Sequence, residues 1–481
     1  MGQQQQQRLD AAALIAATLA AAALTRLLAA HPALPDRDEH WTYRNGEHVV
    51  PVSVKVRGDD YRAALPIDRL TFVSGRAHGE HWRADGNGIV HETHADLQGD
   101  PFDRLPEALF PLDRRTLHVT HALEAGGRIE VEDDEPDTRA HWFVVDAASG
   151  RIERESTREG RLAISYVFSY AARGDRFPSG WTVTDGELRD DLVVTRDGSR
   201  PDAAPLPPLG AARTFSGPPH PTMHALQARF DENGDVTTMI DIAGHHVPFI
   251  IDTGTEDITL DDAHAFEWEL QPLLGHAAVA SIRVGDETLT NAAVSTFPLT
   301  GTAADGILGY DWFFGHIVHM NFRTQVLEVG DDAAAAAIFA DPATTVLPMN
   351  THESIPFVPV ALDGVRGDRF ALDTGSPQLQ IFAPFIRAHG AAVAGWNAAR
   401  FPDEQTHETE SYLEGNVDVT ARRVRTVRFG PVTQDDVVAG VALPTSQLDM
   451  PFDGIIGTEL LKRCDLWFDY DHQRIGVRAA S

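Results

Sequence analysis

The sequence predicts a mainly β protein in three parts: an antiparallel, β-rich α+β domain followed by two further β lobes. Three observations carry that expectation. Short apolar or alternating runs, punctuated by glycine and aspartate, fill the chain from Trp41 to Arg196. A proline-rich stretch, Arg200 to Pro221, comes next. Beyond it a series of motifs occurs twice in the same order.

The first part carries β-type runs at Val49–Val56, Leu70–Val73, Leu117–Thr120, Arg128–Glu132, Trp142–Val145 and Leu162–Phe168. Between them stand Asp85-Gly86-Asn87-Gly88, Ala125-Gly126-Gly127, Ala148-Ser149-Gly150 and Glu159-Gly160. Runs of that length separated by such turns read as hairpins of an antiparallel sheet. Pro201, Pro205, Pro207, Pro208, Pro218, Pro219 and Pro221 then mark a linker, because proline stiffens an extended chain and donates nothing to a ladder. The boundaries read as 1–35, 36–199, a linker at 200–221, and lobes at 222–340 and 341–481. A chain of 481 residues accommodates this, at about 100–200 residues per domain.

The net charge of −31 argues against nucleic acid and against anionic membrane surfaces as partners. The single cysteine, Cys464, excludes an intrachain disulfide and sits in an apolar stretch, as a packing residue does. Ala11 to Leu24 is an uncharged run of 14 residues, the length of an export-signal core and too short to span a bilayer. Asp10 and Arg26 flank it awkwardly, and an alanine-rich helix packed on the next domain is the other reading. A periplasmic or otherwise exported location is expected, with the cytoplasm as the alternative, and no integral membrane domain. His78, His81, His91 and His94 cluster in sequence, yet neither cysteine nor well-spaced carboxylate completes a ligand set, so no metal and no cofactor is expected.

The two lobes match motif by motif. Pro248-Phe249-Ile250-Ile251-Asp252-Thr253-Gly254-Thr255 corresponds to Arg369-Phe370-Ala371-Leu372-Asp373-Thr374-Gly375-Ser376. Downstream, Asp305-Gly306-Ile307-Leu308-Gly309 corresponds to Asp453-Gly454-Ile455-Ile456-Gly457. From Gly309 to Asn321 and from Gly457 to Asp469 is 12 residues each time, and an aromatic follows, Phe322 or Tyr470. The interval from Asp252 to Gly309 is 57 residues, whereas that from Asp373 to Gly457 is 84, so lobe 2 holds 27 more, expected in loops around Ala391–Glu414.

Each apolar run reads as a buried strand ending at an aspartate. A lone buried carboxylate is costly. Two such turns meeting across a pseudo-twofold axis would place their carboxyls within hydrogen-bonding distance, and like charges that close share one proton. One carboxylate can then take a proton from water while the other gives one to a carbonyl oxygen. The doubled Asp-Thr-Gly with its paired downstream motif resembles the aspartic peptidases, specifically the retropepsin-like branch, over about Met223 to Val477.

That resemblance implies an acid-protease-like pair of β-barrel lobes forming one site, in a monomer that is its own pseudo-dimer, acting on polypeptide as an endopeptidase. It implies that Asp252 and Asp373 are the catalytic pair, that Thr253 and Thr374 bond across the lobes, and that Gly254 and Gly375 approach the carboxylates. Thr255 and Ser376 would support the outer carboxylate oxygens. Ile307, Leu308 and Gly309, with Ile455, Ile456 and Gly457, would form inner strands beside the turns. Family members cover the site with a hairpin flap; Ile282–Thr290, and in lobe 2 Tyr412 and Gly415, are the candidates. The first domain resembles the periplasmic lipoprotein-carrier fold in its hairpins and in Gly79 to Gly86, which implies a curved sheet around a helix and an apolar ligand. A lipid- or peptide-binding envelope protein on an inert peptidase-like scaffold is the alternative function.

Overall fold

The computed structural model describes residues 36 to 479, less short stretches of which 94–118 and 185–191 are the longest. The export-signal-like run, His78 and His94 lie outside the described residues. The chain forms two compact units. The first takes most of the sequence up to Pro208; the second takes everything from Leu209, with the short segments Ile67–Thr71 and Ala84–Glu92. The division falls inside the proline-rich linker.

The protein is mainly β. The first unit is built on a 13-stranded sheet laid out as two meanders. Arg37–Asn45 lies at its middle, paired antiparallel with His48–Arg57 on one side and Leu192–Pro201 on the other. From there the strands follow chain order outward to Val90–Thr93, and from the far edge at Val119–Ala125 they return inward. Alternation does the sorting. In His48–Arg57 it buries Val50, Val52, Val54 and Val56 and turns their neighbours out or aside. Trp41 and Trp181 meet edge to face at 4.9 Å in that core. Among the described residues this domain contains no helix, so the helix that a lipoprotein-carrier fold would enclose is not seen in them.

The second unit holds two closed six-stranded barrels. In lobe 1 the order is Val236–Ile242, His245–Ile251, Gly306–Leu308, Ile258–Asp261, Glu287–Phe297 and His276–Val284. Pairing of Ile240–Ile242 with Ile282–Val284 closes it. In lobe 2 the same order recurs as Phe357–Leu362, Val365–Leu372, Gly454–Ile456, Leu379–Ile381, Val432–Ala442 and Gly415–Phe429. Ala361–Leu362 against Val427–Arg428 closes that one. The strand leading to each aspartate leaves a two-residue turn with positive φ at both positions, Ala243 (51°) and Gly244 (87°), then Asp363 (49°) and Gly364 (82°). That is the hairpin turn whose twist suits antiparallel strands.

A six-stranded sheet joins the lobes. At its centre Ile317–Asn321 pairs antiparallel with Cys464–Asp469, Ile317 opposite Asp469 and Asn321 opposite Asp465. Asn321 and Asp469 are equivalent residues of the repeat, so the strand pairs with its own counterpart, as an isologous twofold contact does.

The surplus of lobe 2 is not the loop that the interval suggested. It forms the helix Ala383–Ala394, the short strand Asn397–Ala398, and His407–Tyr412, which pairs with the start of Gly415–Phe429 as a hairpin. Among the described residues lobe 1 has only the short helix Asp262–Glu267 between the corresponding strands. Among the described residues no helix is long and apolar enough to cross a membrane.

Candidate functional site

Both Asp-Thr-Gly turns lie where an apolar strand leaves its barrel. Phe249, Ile251, Phe370 and Leu372 are fully buried, which anchors each strand up to its aspartate. The amide of Asp252 donates to Leu308 O at 3.1 Å, and that of Asp373 to Ile456 O at 3.1 Å. Thus Ile307-Leu308-Gly309 and Ile455-Ile456-Gly457 run directly beside the turns, parallel to the strands that carry the aspartates. A Cβ on Gly309 would fall 2.3 Å from Thr255 O, and one on Gly457 2.5 Å from Ser376 O. Only glycine allows so close an approach.

The two turns interlock. Thr253 Oγ1 donates to Leu372 O at 2.6 Å, and Thr374 Oγ1 donates to Ile251 O at 3.0 Å. Each threonine also accepts the other's amide, Thr253 N to Thr374 Oγ1 at 3.0 Å and Thr374 N to Thr253 Oγ1 at 3.1 Å. These four hydrogen bonds, all buried, cross from lobe to lobe.

This crossing brings Asp252 and Asp373 together. A Cβ on Gly254 would stand 2.7 Å from the Asp373 carboxyl carbon, and one on Gly375 2.6 Å from Asp252 Oδ2. Each glycine is thus pressed against the carboxyl of the opposite lobe. Asp252 accepts Gly254 N at 2.7 Å, Gly375 N at 3.1 Å and Thr255 Oγ1 at 2.8 Å. Asp373 accepts Gly375 N at 2.8 Å and also the backbone N–H of Ser376. The two halves differ here: Thr255 supports its aspartate through its hydroxyl, Ser376 through its amide. Burial pushes the Asp373 carboxyl well above the usual carboxylate range, and the charge of Asp252 and a hydrogen bond with it push the same way. Ionisation of both members of the pair at once is therefore disfavoured.

The hairpin around Ile282–Thr290 does not cover this site. Its tip is held to the lobe, with Gly285 against Leu226, Ser216 pairing with Thr288, and His316 Nε2 2.6 Å from Glu287. The corresponding tip of lobe 2, Gly430, rests on Leu347 in the same way. The hairpin with no counterpart in lobe 1 is His407–Tyr412 with Gly415–Phe429, which has Tyr412 opposite Gly415 at its end. On its first strand Glu408 and Glu410 point to one side, and Gln378 Nε2 donates to both, at 3.0 and 3.5 Å. Gln378 lies in the segment that follows the Asp373 turn, so this hairpin is tied beside the pair.

Sequence reasoning also passed over a second group of carboxyls, in the second unit. Asp85, Asp257 and Asp311 bring one oxygen each within 4.8 Å of one another, a set of oxygens of the kind that binds hard cations. Here Asn87 Nδ2 donates to Asp311 at 3.0 Å, Ser295 Oγ donates to Asp257 at 2.5 Å, and Asp311 shares a hydrogen bond with Asp85. Burial, ahead of its acidic neighbours, pushes the Asp311 carboxyl well up. Spacing gave no sign of this group, because Asp85 comes from the turn between two strands of the first sheet.

No family model matches this chain, and no curated protein sequence matches it.

Proposed function

We propose that the protein is an aspartic-type endopeptidase that hydrolyses polypeptide at one site shared by its two lobes. The observation that carries this reading is the pressing of Gly254 and Gly375 against opposite carboxyls, which makes Asp252 and Asp373 one proton-sharing pair. The asymmetry assigns roles. Asp252, with three donors on its oxygens, is the carboxylate and takes a proton from a water lying between the two groups. The water oxygen attacks the peptide carbonyl carbon as Asp373 gives its proton to the carbonyl oxygen. Collapse of the resulting diol breaks the C–N bond, and the proton held by Asp252 leaves with the amine. As the diol collapses, Asp373 takes back the proton of one of the diol's hydroxyls, which becomes the new carbonyl, so no covalent enzyme intermediate forms and the pair ends with its single proton.

The test is cleavage of an unfolded protein substrate at mildly acidic pH by wild type, Asp252→Asn and Asp373→Asn. Each substitution removes half of the acid–base machinery, and a loss of at least about a thousandfold in kcat/KM is expected from each alone. Full activity in either single variant would sink the one-site reading.

A further inference from the structure

Tyr470 is one of a few residues of the second unit whose buried polar atom finds no partner among the described residues. The residue is 2% exposed. Its hydroxyl, sealed from solvent, meets no hydrogen-bond partner among the described residues. An orphaned buried hydroxyl costs about 1–3 kcal/mol, and native structures keep few of them without a reason.

The internal repeat isolates what is unusual. Phe322 holds the position in lobe 1 that Tyr470 holds in lobe 2, each directly after the residue 12 beyond the inner-strand glycine. Phe322 meets Phe230 edge to face at 5.6 Å. Tyr470 meets Tyr310 edge to face at 5.2 Å and Phe313 at 5.1 Å. The packing in both lobes calls for a phenyl ring. The oxygen is what lobe 2 adds, and the packing makes no use of it.

The neighbours of that ring point to the oxygen's use. Tyr310, against which Tyr470 packs, donates its amide to Thr255 O at 2.9 Å, and Thr255 holds Asp252. One residue, Tyr310, therefore separates Tyr470 from the turn that carries Asp252. Burial first, then Tyr310, Asp252 and Asp373, push the phenol well above its usual range, so it never ionises and acts only as a dipole. A hydroxyl in the field of an anion turns its hydrogen toward that anion.

We infer that Tyr470 is a positioning residue for the carboxyl pair: its hydroxyl anchors one internal water next to the two turns, and the two together aim donors at the ionised carboxylate. Internal waters have this habit of satisfying buried groups that the chain leaves unpaired. The singly ionised pair is stabilised, and the form from which hydrolysis starts persists to lower pH. The catalytic meaning of this inference rests on the peptidase reading; the titration itself does not.

The experiment is Tyr470→Phe in the full chain, a substitution that installs the ring lobe 1 already carries. The carboxyls of Asp252 and Asp373 are followed by carbon-13 NMR of aspartate-labelled protein against pH, a readout that needs no turnover. The variant is expected to melt at the same temperature as wild type or higher. The lower of the pair's two titration steps should move up by about half a pH unit, and the acid limb of kcat/KM should move with it. A shifted titration in a protein that cuts nothing would uphold the positioning role while removing the peptidase reading. Unshifted titration steps with a raised melting temperature would overturn the inference, since the hydroxyl would then be an orphan with no bearing on the pair.

Discussion

Thr374 donates to Ile251 O, accepts the Thr253 amide, and does both inside a buried crossing where water cannot substitute. Thr374→Val keeps the shape and removes both bonds, so urea unfolding should show a loss of about 2–3 kcal/mol, more than valine costs at an exposed threonine. Gly375→Ala is expected to cost about 1–3 kcal/mol by overpacking and to abolish cleavage, because the new methyl would displace the Asp252 carboxyl. The raised Asp373 carboxyl fixes the sign of a pH effect. An acid that holds its proton more tightly when folded stabilises fully below its unfolded value, about 3.9, and that stability is lost as pH rises through the folded value. Melting temperatures from pH 4 to 7 should therefore fall more steeply in wild type than in Asp373→Asn; parallel curves would contradict it. These residues were legible because Asp-Thr-Gly is short, local and doubled, and its apolar run marks the strand behind it. The difference between Thr255 and Ser376 was not legible, because both side chains offer a hydroxyl and only the turn geometry decides which one reaches a carboxylate.

The hairpin of lobe 2 shows where reading by element fails. Counting between motifs gave the surplus, but His407–Tyr412 alternates polar with polar and carries no apolar face to announce a strand. The 13-stranded sheet was easier, since its runs alternate and its turns carry glycine, although the order of two meanders meeting at Arg37–Asn45 depends on pairing between distant residues. Within the hairpin, burial and then Glu408 raise the Glu410 carboxyl. By the same sign rule its proton helps to hold the hairpin in acid, and that help fades as pH rises through the folded value. Amide exchange across His407–Tyr412 should thus quicken toward neutral pH beyond the intrinsic rise. In Glu410→Gln, which keeps a neutral side chain at every pH, the extra quickening should vanish; its persistence would place the cause elsewhere.

At the scale of the molecule, the sheet between the lobes is the seam of the second unit. His319 of one lobe lies 2.8 Å from Glu328 and 2.6 Å from Asp465 of the other, with its ring stacked on Trp467. Cys464 opens the strand opposite, and burial, followed by Asp465, pushes its thiol up to about 12. A neutral, enclosed thiol is a poor nucleophile, so a disulfide reagent should label Cys464 only when the seam opens, at a rate that urea accelerates in step with unfolding; rapid labelling of native protein would show the seam to be loose. The strand Ile317–Asn321 pairs with its own equivalent, as two separate copies of one half would pair. In an association of identical copies every substitution arrives twice, on both sides of the axis. Covalent linkage of the halves lifts that obligation. One half can gain a hairpin beside the carboxyls and a buried hydroxyl while the other keeps a plain phenyl ring, so the two aspartates need no longer be interchangeable.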